Sequence, residues 1–232
     1  MRLHRFFVTN TLPHEGEFTI TDENHLNQWK NVLRMDVGDH VILFDGSDGE
    51  ILCEFRSLDK KSAIFSVIEK RAGLKLKREV TLFMSLIKRD HFEMVLEKAT
   101  ELGVSRIVPV EAMRSEKKGI NRERCEKILR EAAEQSGRTS IPILDDVISL
   151  RKIPDTYKLP FVLFDPRSEV SAHAYSTPTV DAPLGILIGP EGGFTDEEVE
   201  FFKTRNTPVV TVGPTVLRAE TAAIVALTLA LV

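Results

Sequence analysis

Two short apolar runs, each ending in a glycine-proline pair, constrain the C-terminal part of this chain most strongly. The run 185–188 is followed by Gly-Pro at 189–190, and the run 209–212 by Gly-Pro at 213–214. An apolar run that stops abruptly at glycine and proline is typical of a buried strand entering a tight loop. Both loops lead into helix signals. We therefore expect them at the carboxyl ends of neighbouring strands, where open α/β sheets bind small ligands.

From Val80 onward, short apolar strands alternate with amphipathic helices. The pattern predicts strands over 80–87, 107–110, 143–148 and 161–164, and helices over 91–102 and 121–136. Gly103 and Gly137 supply helix stops, and Asn121 is a candidate N-cap. This alternation predicts an α/β domain with a mostly parallel sheet.

Residues 1–73 have a different, β-rich pattern. Strands are predicted at 4–8, 40–44, 51–57 and 63–68, and a helix at 22–34. Turn-rich connectors between the strands are typical of hairpins. We therefore predict a small β-barrel domain over 1–73, followed by the α/β domain over 74–232.

Composition and charge exclude several classes of protein. No apolar run approaches the roughly 20 residues that span a bilayer, and the N-terminus lacks the apolar core of a signal peptide. Cys53 and Cys125 are isolated, which favours reduced thiols in a cytoplasmic protein over a disulfide or a metal site. Residues 75–138 carry 15 Lys and Arg against 11 Asp and Glu, whereas both flanking sections are acidic. This asymmetry indicates an anionic partner that contacts the middle section of the chain rather than the whole protein.

The loop at 189–194 lacks the properties of a phosphate site. Thr195 and Glu198 form a capping box, and Asp196 and Glu197 complete an acidic first turn. Phosphate loops use free N–H groups at a helix N-terminus, but here carboxylates and the capping hydroxyl occupy that end. The glycine spacing also matches neither GxGxxG nor the P-loop. A ligand that is neutral or cationic where it meets this loop fits better.

The second loop leads into a helix that is apolar nearly all round from Ala222 onward. Such a helix needs cover on several sides, and a partner subunit is the simplest cover. Arg218 and Glu220 are the last charges before it. They either line a site or form a structural ion pair with a cap.

The segments LIGPEGGFTDEEV (187–199) and VLRAETAA (216–223) together resemble the small-subunit ribosomal RNA uridine-N3 methyltransferases of the SPOUT superfamily. The resemblance continues through Arg5-Phe6-Phe7, LEKATELGV, EAAEQSGR and LFDP, and it covers essentially the whole chain. Ala219 is a departure, because many relatives have threonine there, and it puts one hydroxyl contact in doubt.

The resemblance implies a SPOUT-type α/β domain with a C-terminal trefoil knot at about 185–223, preceded by a PUA-like β-barrel. It implies S-adenosylmethionine as cofactor and a homodimer formed through the knot region. The implied substrate is a uridine in the decoding region of 16S rRNA within the assembled small subunit, methylated at N3. No membrane partner is implied.

The resemblance also suggests roles for individual residues. Arg218 is the first candidate for stabilising charge on the uracil, Glu220 is a candidate base, and Arg5 is expected to reach RNA or the target base. Cofactor contacts are expected from Leu163, Phe164, Ile188, Gly189, Pro190, Glu191, Gly192, Gly193, Val212, Gly213, Leu217 and Thr221. RNA contacts are expected from the barrel and from Arg5, Lys88, Arg89, Arg114, Lys117, Lys118, Arg122 and Arg124.

Alternative interpretations of the same residues stay open. Any single basic side chain could equally belong to a solvated charged face, because Glu111, Glu116 and Glu123 are interspersed. His4, His91 and His173 have no motif partner and are interpreted as structural or surface residues. The alternative functions are a non-catalytic RNA-binding assembly factor and a SPOUT enzyme that modifies transfer RNA or ribose.

Overall fold

The computed structural model describes residues 3–47, 49–74, 76, 78–116, 118–172 and 182–231. The chain forms two compact units. The first contains Met1–Lys75 and Ala133–Ser140, and the second contains Leu76–Ala132 and Ile141–Val232.

The first unit is built on a five-stranded sheet. Its strands are β1 (His4–Phe7), β2 (Glu17–Ile20), β3 (His40–Phe44), β4 (Gly49–Leu58) and β5 (Ala63–Ala72). Their order is β1-β3-β4-β5-β2, with β1 parallel to β3 and the other pairs antiparallel. The sequence pattern does not predict β2, because its four residues are too few for a clear apolar alternation.

The segment predicted as one helix over 22–34 is divided in two. Helix α1 covers Glu23–Asn27, and a π-helical turn follows over Gln28–Val32. Trp29 in this turn is fully buried, and its ring packs edge-on against three phenylalanine rings, those of Phe6, Phe55 and Phe65. The apolar spacing thus identifies the buried side of the segment but not the change in its helical hydrogen bonding.

Arg5 in β1 is held by contacts within the first unit. Its Nη1 pairs with a carboxylate oxygen of Glu50 at 2.5 Å, and its Nη2 donates to the backbone carbonyl of Arg138 at 3.1 Å. The side chain is only 10% exposed. Phe7 in the same strand also bonds the segment 133–140, because its backbone N–H donates to the Glu134 carboxylate at 2.9 Å. Arg5 therefore has a structural role in this unit.

The second unit is built on a parallel sheet. Its strands are β6 (Val80–Ser85), β7 (Arg106–Glu111), β8 (Ile143–Leu144), β9 (Ile148–Ser149), β10 (Phe161–Phe164), β11 (Leu184–Ile188) and β12 (Val209–Val210). The order is β12-β10-β11-β6-β7-β8, with β9 also beside β7, and the pairings are parallel.

The strand predicted over 143–148 is interrupted in its middle. Asp145 pairs with Arg106 at 2.6 Å, and Asp146 pairs with Arg122 at 2.6 Å. These two aspartates separate β8 from β9, so the segment forms two short strands instead of one.

Predicted cap or stop residues lie at the ends of three helices of the second unit. The helices are α2 (Arg89–Leu102), α3 (Arg122–Ser136, whose last turn belongs to the first unit), α4 (Ile153–Thr156), α5 (Asp196–Lys203) and α6 (Ala219–Leu231). Gly103 ends α2 with a φ of 104°, and the Asn121 side chain accepts the N–H of Arg124 at 3.1 Å to cap α3. The Thr195–Glu198 capping box is present at α5. These boundary predictions are confirmed.

Parallel pairing brings the carboxyl ends of the strands to one edge of the sheet. The loops after β6, β7, β10 and β11 consequently lie at the same edge. The strands that precede the two glycine-proline loops, β11 and β12, are not neighbours as predicted, because β10 lies between them. The described part of the chain contains no helix long and apolar enough to cross a membrane.

Replacing Gly103 by alanine should destabilise the second unit by about 1–3 kcal/mol. The φ of 104° disfavours any residue with a Cβ, and an added Cβ would lie 3.0 Å from Cδ2 of Leu76. Gly119→Ala is the matched control, because its Cβ would meet no atom within 4 Å. Urea denaturation followed by circular dichroism measures both variants. Equal stability of the two would contradict this account of Gly103.

Candidate active site

A cavity of about 670 Å³ lies at the carboxyl edge of the parallel sheet. It is lined by the β10 loop (164–167), the β11 loop (188–194) and the segment before and into α6 (216–220 and 222), together with Lys88, His91 and Arg114. Its volume is in the usual range for small-ligand sites. We call this cavity the edge pocket.

Most of the predicted cofactor residues line the edge pocket. They are Phe164, Ile188, Gly189, Pro190, Glu191, Gly192, Gly193 and Leu217. Val212 lines a smaller cavity that shares Leu217 with the edge pocket. The other three lie outside both cavities: Leu163 is fully buried in the core, Gly213 is half-buried, and Thr221 is exposed.

Backbone conformation and packing against Arg114 account for the glycines at 192 and 193 in the β11 loop, independently of any ligand. Gly193 has a φ of 67° and its N–H donates to the carbonyl of Pro190 at 2.8 Å, which closes a tight turn. A Cβ on Gly192 would lie 3.3 Å from Cδ of Arg114. The Arg114 guanidinium in turn donates to the Gly192 carbonyl at 2.8 Å. The loop conformation is therefore fixed by backbone geometry and by Arg114.

Two carboxylates tie the β11 segment to the loops after β6 and β7. Buried Glu198 accepts the N–H of Thr195 at 2.9 Å through one oxygen and the N–H of Met113 at 2.7 Å through the other. Glu191 accepts the N–H of Lys88 at 2.9 Å. Glu198, one of the acidic residues that argue against a phosphate ligand, thus also joins neighbouring loops at this edge of the sheet.

Arg167 links the β10 loop to the start of α5. Its guanidinium makes a bidentate pair with Asp165, at 2.9 and 2.7 Å, and also bonds the Asp196 carboxylate at 2.5 Å and the Phe194 carbonyl at 3.0 Å. Asp165 is 3% exposed, and burial alone would raise its pKa. The hydrogen bonds and charge of Arg167 outweigh burial and hold the Asp165 pKa below its usual range. The sequence analysis identifies the LFDP motif (163–166) but does not predict a role for Arg167. The one signal for that role in the sequence is its spacing, two residues after an aspartate that follows a strand.

Arg218 faces the edge pocket without a protein partner. It is exposed, and its guanidinium has no hydrogen bond or ion pair with any residue that the structure describes. Its backbone carbonyl accepts the N–H of Ala222 at 2.8 Å, which places it at the start of α6. The structural ion pair with Glu220 that the sequence leaves open is therefore not formed.

Glu220 faces His91 across the first turns of α6 and α2. Nδ1 of His91 lies 3.7 Å from Oε2 of Glu220, which is too long for a hydrogen bond. Both atoms are buried, and within the described ranges neither has a hydrogen-bond partner. The sequence offers no motif partner for His91, because Glu220 lies on a distant helix. The structure instead places this histidine on the wall of the edge pocket.

The predicted RNA-contacting residues fall into different environments. Lys88 and Arg114 line the edge pocket. Arg124 and Arg89 both bond the Glu93 carboxylate, at 2.5 and 2.8 Å, and together they lower the pKa of Glu93 to about 2.

The remaining predicted RNA-contacting residues also include both paired and exposed side chains. Arg122 bonds Glu126 at 2.9 Å and Asp146 at 2.6 Å, so its charge is also balanced. Lys118 is exposed. Lys117, like His173, lies outside the described residues. Across the residues that the structure places, no group of three or more His, Cys, Asp or Glu is arranged to hold a metal ion.

The chain thus combines a β-rich unit with an α/β unit that has a cavity of small-ligand size at the carboxyl edge of its parallel sheet. The family model for the RNA methyltransferase domain matches residues 74–231, and that for the RNA methyltransferase PUA domain matches residues 30–68. The chain belongs to the RNA methyltransferase family. The family resemblance predicted from the sequence is confirmed.

The similarity to known proteins covers nearly the whole chain. The chain is 30% identical to Ribosomal RNA small subunit methyltransferase E of Rickettsia conorii, over 98% of this chain and 94% of that protein. It is 33% identical to the Bacillus subtilis protein of the same name, over 97% and 94%. A solved structure of Ribosomal RNA small subunit methyltransferase E from Neisseria gonorrhoeae, bound to S-adenosyl methionine, has a TM-score of 0.89 at 26% identity. The match covers 97% of this chain and 95% of that chain.

A Legionella pneumophila protein solved with its bound cofactor SAM has a TM-score of 0.87 at 27% identity, with coverage of 98% and 96%. These neighbours confirm the predicted fold class, an α/β domain of the SPOUT type preceded by a PUA-like β domain. Both solved neighbours hold the cofactor that the sequence resemblance predicts.

Arg167→Met should destabilise the second unit by about 1–3 kcal/mol at neutral pH, because it leaves the buried Asp165 carboxylate without its partner. In the native protein the lowered Asp165 pKa adds stability above the ordinary Asp range, and this is lost as the pH falls through the lowered value. In the variant, burial raises the Asp165 pKa, so acidification favours its folded state. The loss in free energy of unfolding caused by Arg167→Met, measured by urea denaturation, should therefore be larger at about pH 7 than at about pH 4.5.

The double variant Asp165→Asn with Arg167→Met is the matched control. It removes the buried charge along with its partner and should recover part of the stability lost in Arg167→Met at neutral pH. A deficit that is equal at both pH values and unchanged in the double variant would contradict the proposed cause.

Proposed function

We propose that this protein uses S-adenosylmethionine to methylate N3 of a uridine in the decoding region of 16S rRNA, giving 3-methyluridine. The observation that carries the proposal is the edge pocket, where an unpaired cation, Arg218, and a buried carboxylate, Glu220, stand beside a glycine-rich loop. Membership of the RNA methyltransferase family supports the reaction class. The names of the Rickettsia and Bacillus relatives support ribosomal RNA of the small subunit as the substrate.

The residues of the edge pocket fit S-adenosylmethionine. A Cβ on Gly193 would meet no atom within 4 Å, so the loop backbone is open to a ligand there, and Phe164 and Leu217 offer apolar surface. The unbonded Oε2 of Glu220 supplies negative charge to a pocket whose ligand carries a sulfonium. When bound, S-adenosylmethionine supplies an activated methyl group on positively charged sulfur. The remaining chemistry falls to the protein.

Uridine N3 carries a proton at neutral pH and is a poor nucleophile until that proton leaves. The protein therefore has to remove the proton and favour the uracil anion. Arg218, a free cation at the pocket, is placed to stabilise negative charge on the carbonyl oxygens. Glu220, the candidate base named from the sequence, is a buried carboxylate at the pocket with an unbonded Oε2. The loops of the edge pocket orient donor and acceptor for in-line transfer.

The proposed RNA-binding surface centres on Lys88 and Arg114 at the edge pocket, with exposed Lys118 beyond them. Arg89, Arg122 and Arg124 already bond carboxylates, so RNA phosphates would have to compete for them. The β-rich first unit, matched by the PUA family model, supplies the second RNA contact. The role predicted for Arg5 gains no support from its contacts, which are internal to the first unit.

We extend the proposal to the assembly. A homodimer would form through the knot region at about 185–223 and through α6. Helix α6 buries Ala223, Ala226 and Leu227 in the core, yet Leu229 on the same helix is 40% exposed. A second subunit would cover this apolar surface. The assembled small subunit is the proposed form of the substrate.

Deleting the gene should remove one 3-methyluridine from 16S rRNA, as measured by mass-spectrometric mapping of rRNA with and without the gene. Nucleoside chromatography separates base methylation from ribose methylation. An unchanged map would overturn the proposed substrate. Calorimetric titration with S-adenosylmethionine adds a test of the class of protein, because a non-catalytic RNA-binding factor would give no binding heat.

Arg218→Ala should lower kcat for methylation of assembled small subunits by about 100-fold or more, because it removes the free cation from the developing uracil charge. Lys152→Ala is the matched control: an exposed cation in the same unit that does not line the edge pocket. Single-turnover methylation with labelled cofactor measures both. Full turnover in Arg218→Ala would rule out the role given to Arg218.

A further inference from the structure

His91 and Glu220 are the two groups of the edge pocket whose buried polar atoms face each other unbonded. Each lies in the first turn of its helix, α2 and α6, and these helices pack against each other. Nδ1 and Oε2 are 3.7 Å apart, and over the described part of the chain neither atom has another hydrogen-bond partner. Leaving such atoms unsatisfied is costly, and a closer approach of about 1 Å gives a charge-assisted hydrogen bond.

Exposure differs between the two partners. The Glu220 side chain is 8% exposed, and its unbonded oxygen faces His91. The His91 side chain is 33% exposed although its Nδ1 is buried. The exposed part of the ring is therefore the edge away from Glu220, which carries Nε2. The imidazole, rather than the carboxylate, is the group of this pair that a substrate in the edge pocket can reach.

The other charged side chains of the edge pocket do not provide a base. Arg114, Asp165, Arg167 and Glu191 are engaged in hydrogen bonds with the protein. Lys88 and Arg218 remain as cations, which favour the uracil anion but accept no proton. Imidazole is the side chain that both accepts and releases protons near neutral pH.

We propose that His91 accepts the N3 proton of the target uridine and that Glu220 is its positioning residue. Glu220 holds the proton of neutral His91 on Nδ1, which leaves the lone pair of Nε2 directed to the pocket. In the step, the N3–H bond breaks, the proton bonds to Nε2, and the electron pair stays on N3. The Glu220 carboxylate then balances the charge of the imidazolium, as the acidic member of a catalytic triad does. This inference rests on the proposed function, which it deepens.

His91→Ala should reduce single-turnover methylation by about 10²–10⁴-fold, the range typical of general acid–base catalysis. The Kd for S-adenosylmethionine, measured by calorimetry, should stay within about threefold of native, because the change acts on the chemical step. Added imidazole should restore at least part of the lost rate, whereas a purely structural defect would not respond. Asp90→Asn, an exposed change in the same turn outside the pocket, should retain native rates.

The pair itself is tested without RNA by nitrogen-15 NMR of the histidine rings. Native protein should show His91 protonated on Nδ1, and Glu220→Ala should shift this tautomer toward Nε2–H, because no side-chain acceptor remains at position 220. If native protein does not methylate rRNA, the proposed function fails while this measurement still decides the pairing.

Three results would overturn the inference. One is a His91→Ala protein that methylates within about threefold of native. Another is a loss that imidazole does not relieve, or that is matched by an equal loss of cofactor affinity. The third is a His91 tautomer that does not change in Glu220→Ala, which would remove the positioning role of Glu220.

Discussion

Parallel pairing of the strands in the second unit is the constraint on which the rest of the site depends. Because all these strands run in one direction, the loops that follow them meet at one edge. Their polar groups then have partners on neighbouring loops. Glu198, Glu191 and Arg167 each bond the backbone of a segment other than their own. The edge pocket is the space left between loops that are joined in this way.

Local patterns in the sequence predicted the features that depend on neighbouring residues. The stop at Gly103, the cap at Asn121 and the capping box at Thr195 are fixed by chemistry within one helical turn, and all three are confirmed. The pairing of His91 with Glu220 could not be predicted, because it joins two helices far apart in the chain. Arg167 was missed for the same reason, since its partners Asp196 and Phe194 belong to a later segment.

The basic middle section shows why a count of charges does not define a binding surface. The excess of Lys and Arg over residues 75–138 predicted an anionic partner, but Arg122 bonds two carboxylates, and Arg89 and Arg124 share the carboxylate of Glu93. Charge that is already paired contributes little to an external field. Among the described cations of the edge pocket, Lys88, Arg114 and Arg218 have no carboxylate partner. Unbalanced positive charge therefore lies where the chemistry is proposed to occur.

The links made by Glu198, Glu191 and Arg167 have a consequence for the thermodynamics of ligand binding. Each fixes a loop to another part of the protein through backbone hydrogen bonds, so the shape of the edge pocket is set when the chain folds. A ligand that enters then has few segments left to order, and little conformational entropy is lost on association. The rigidity of the pocket is thus a property of the folded chain itself, established before any cofactor or RNA arrives.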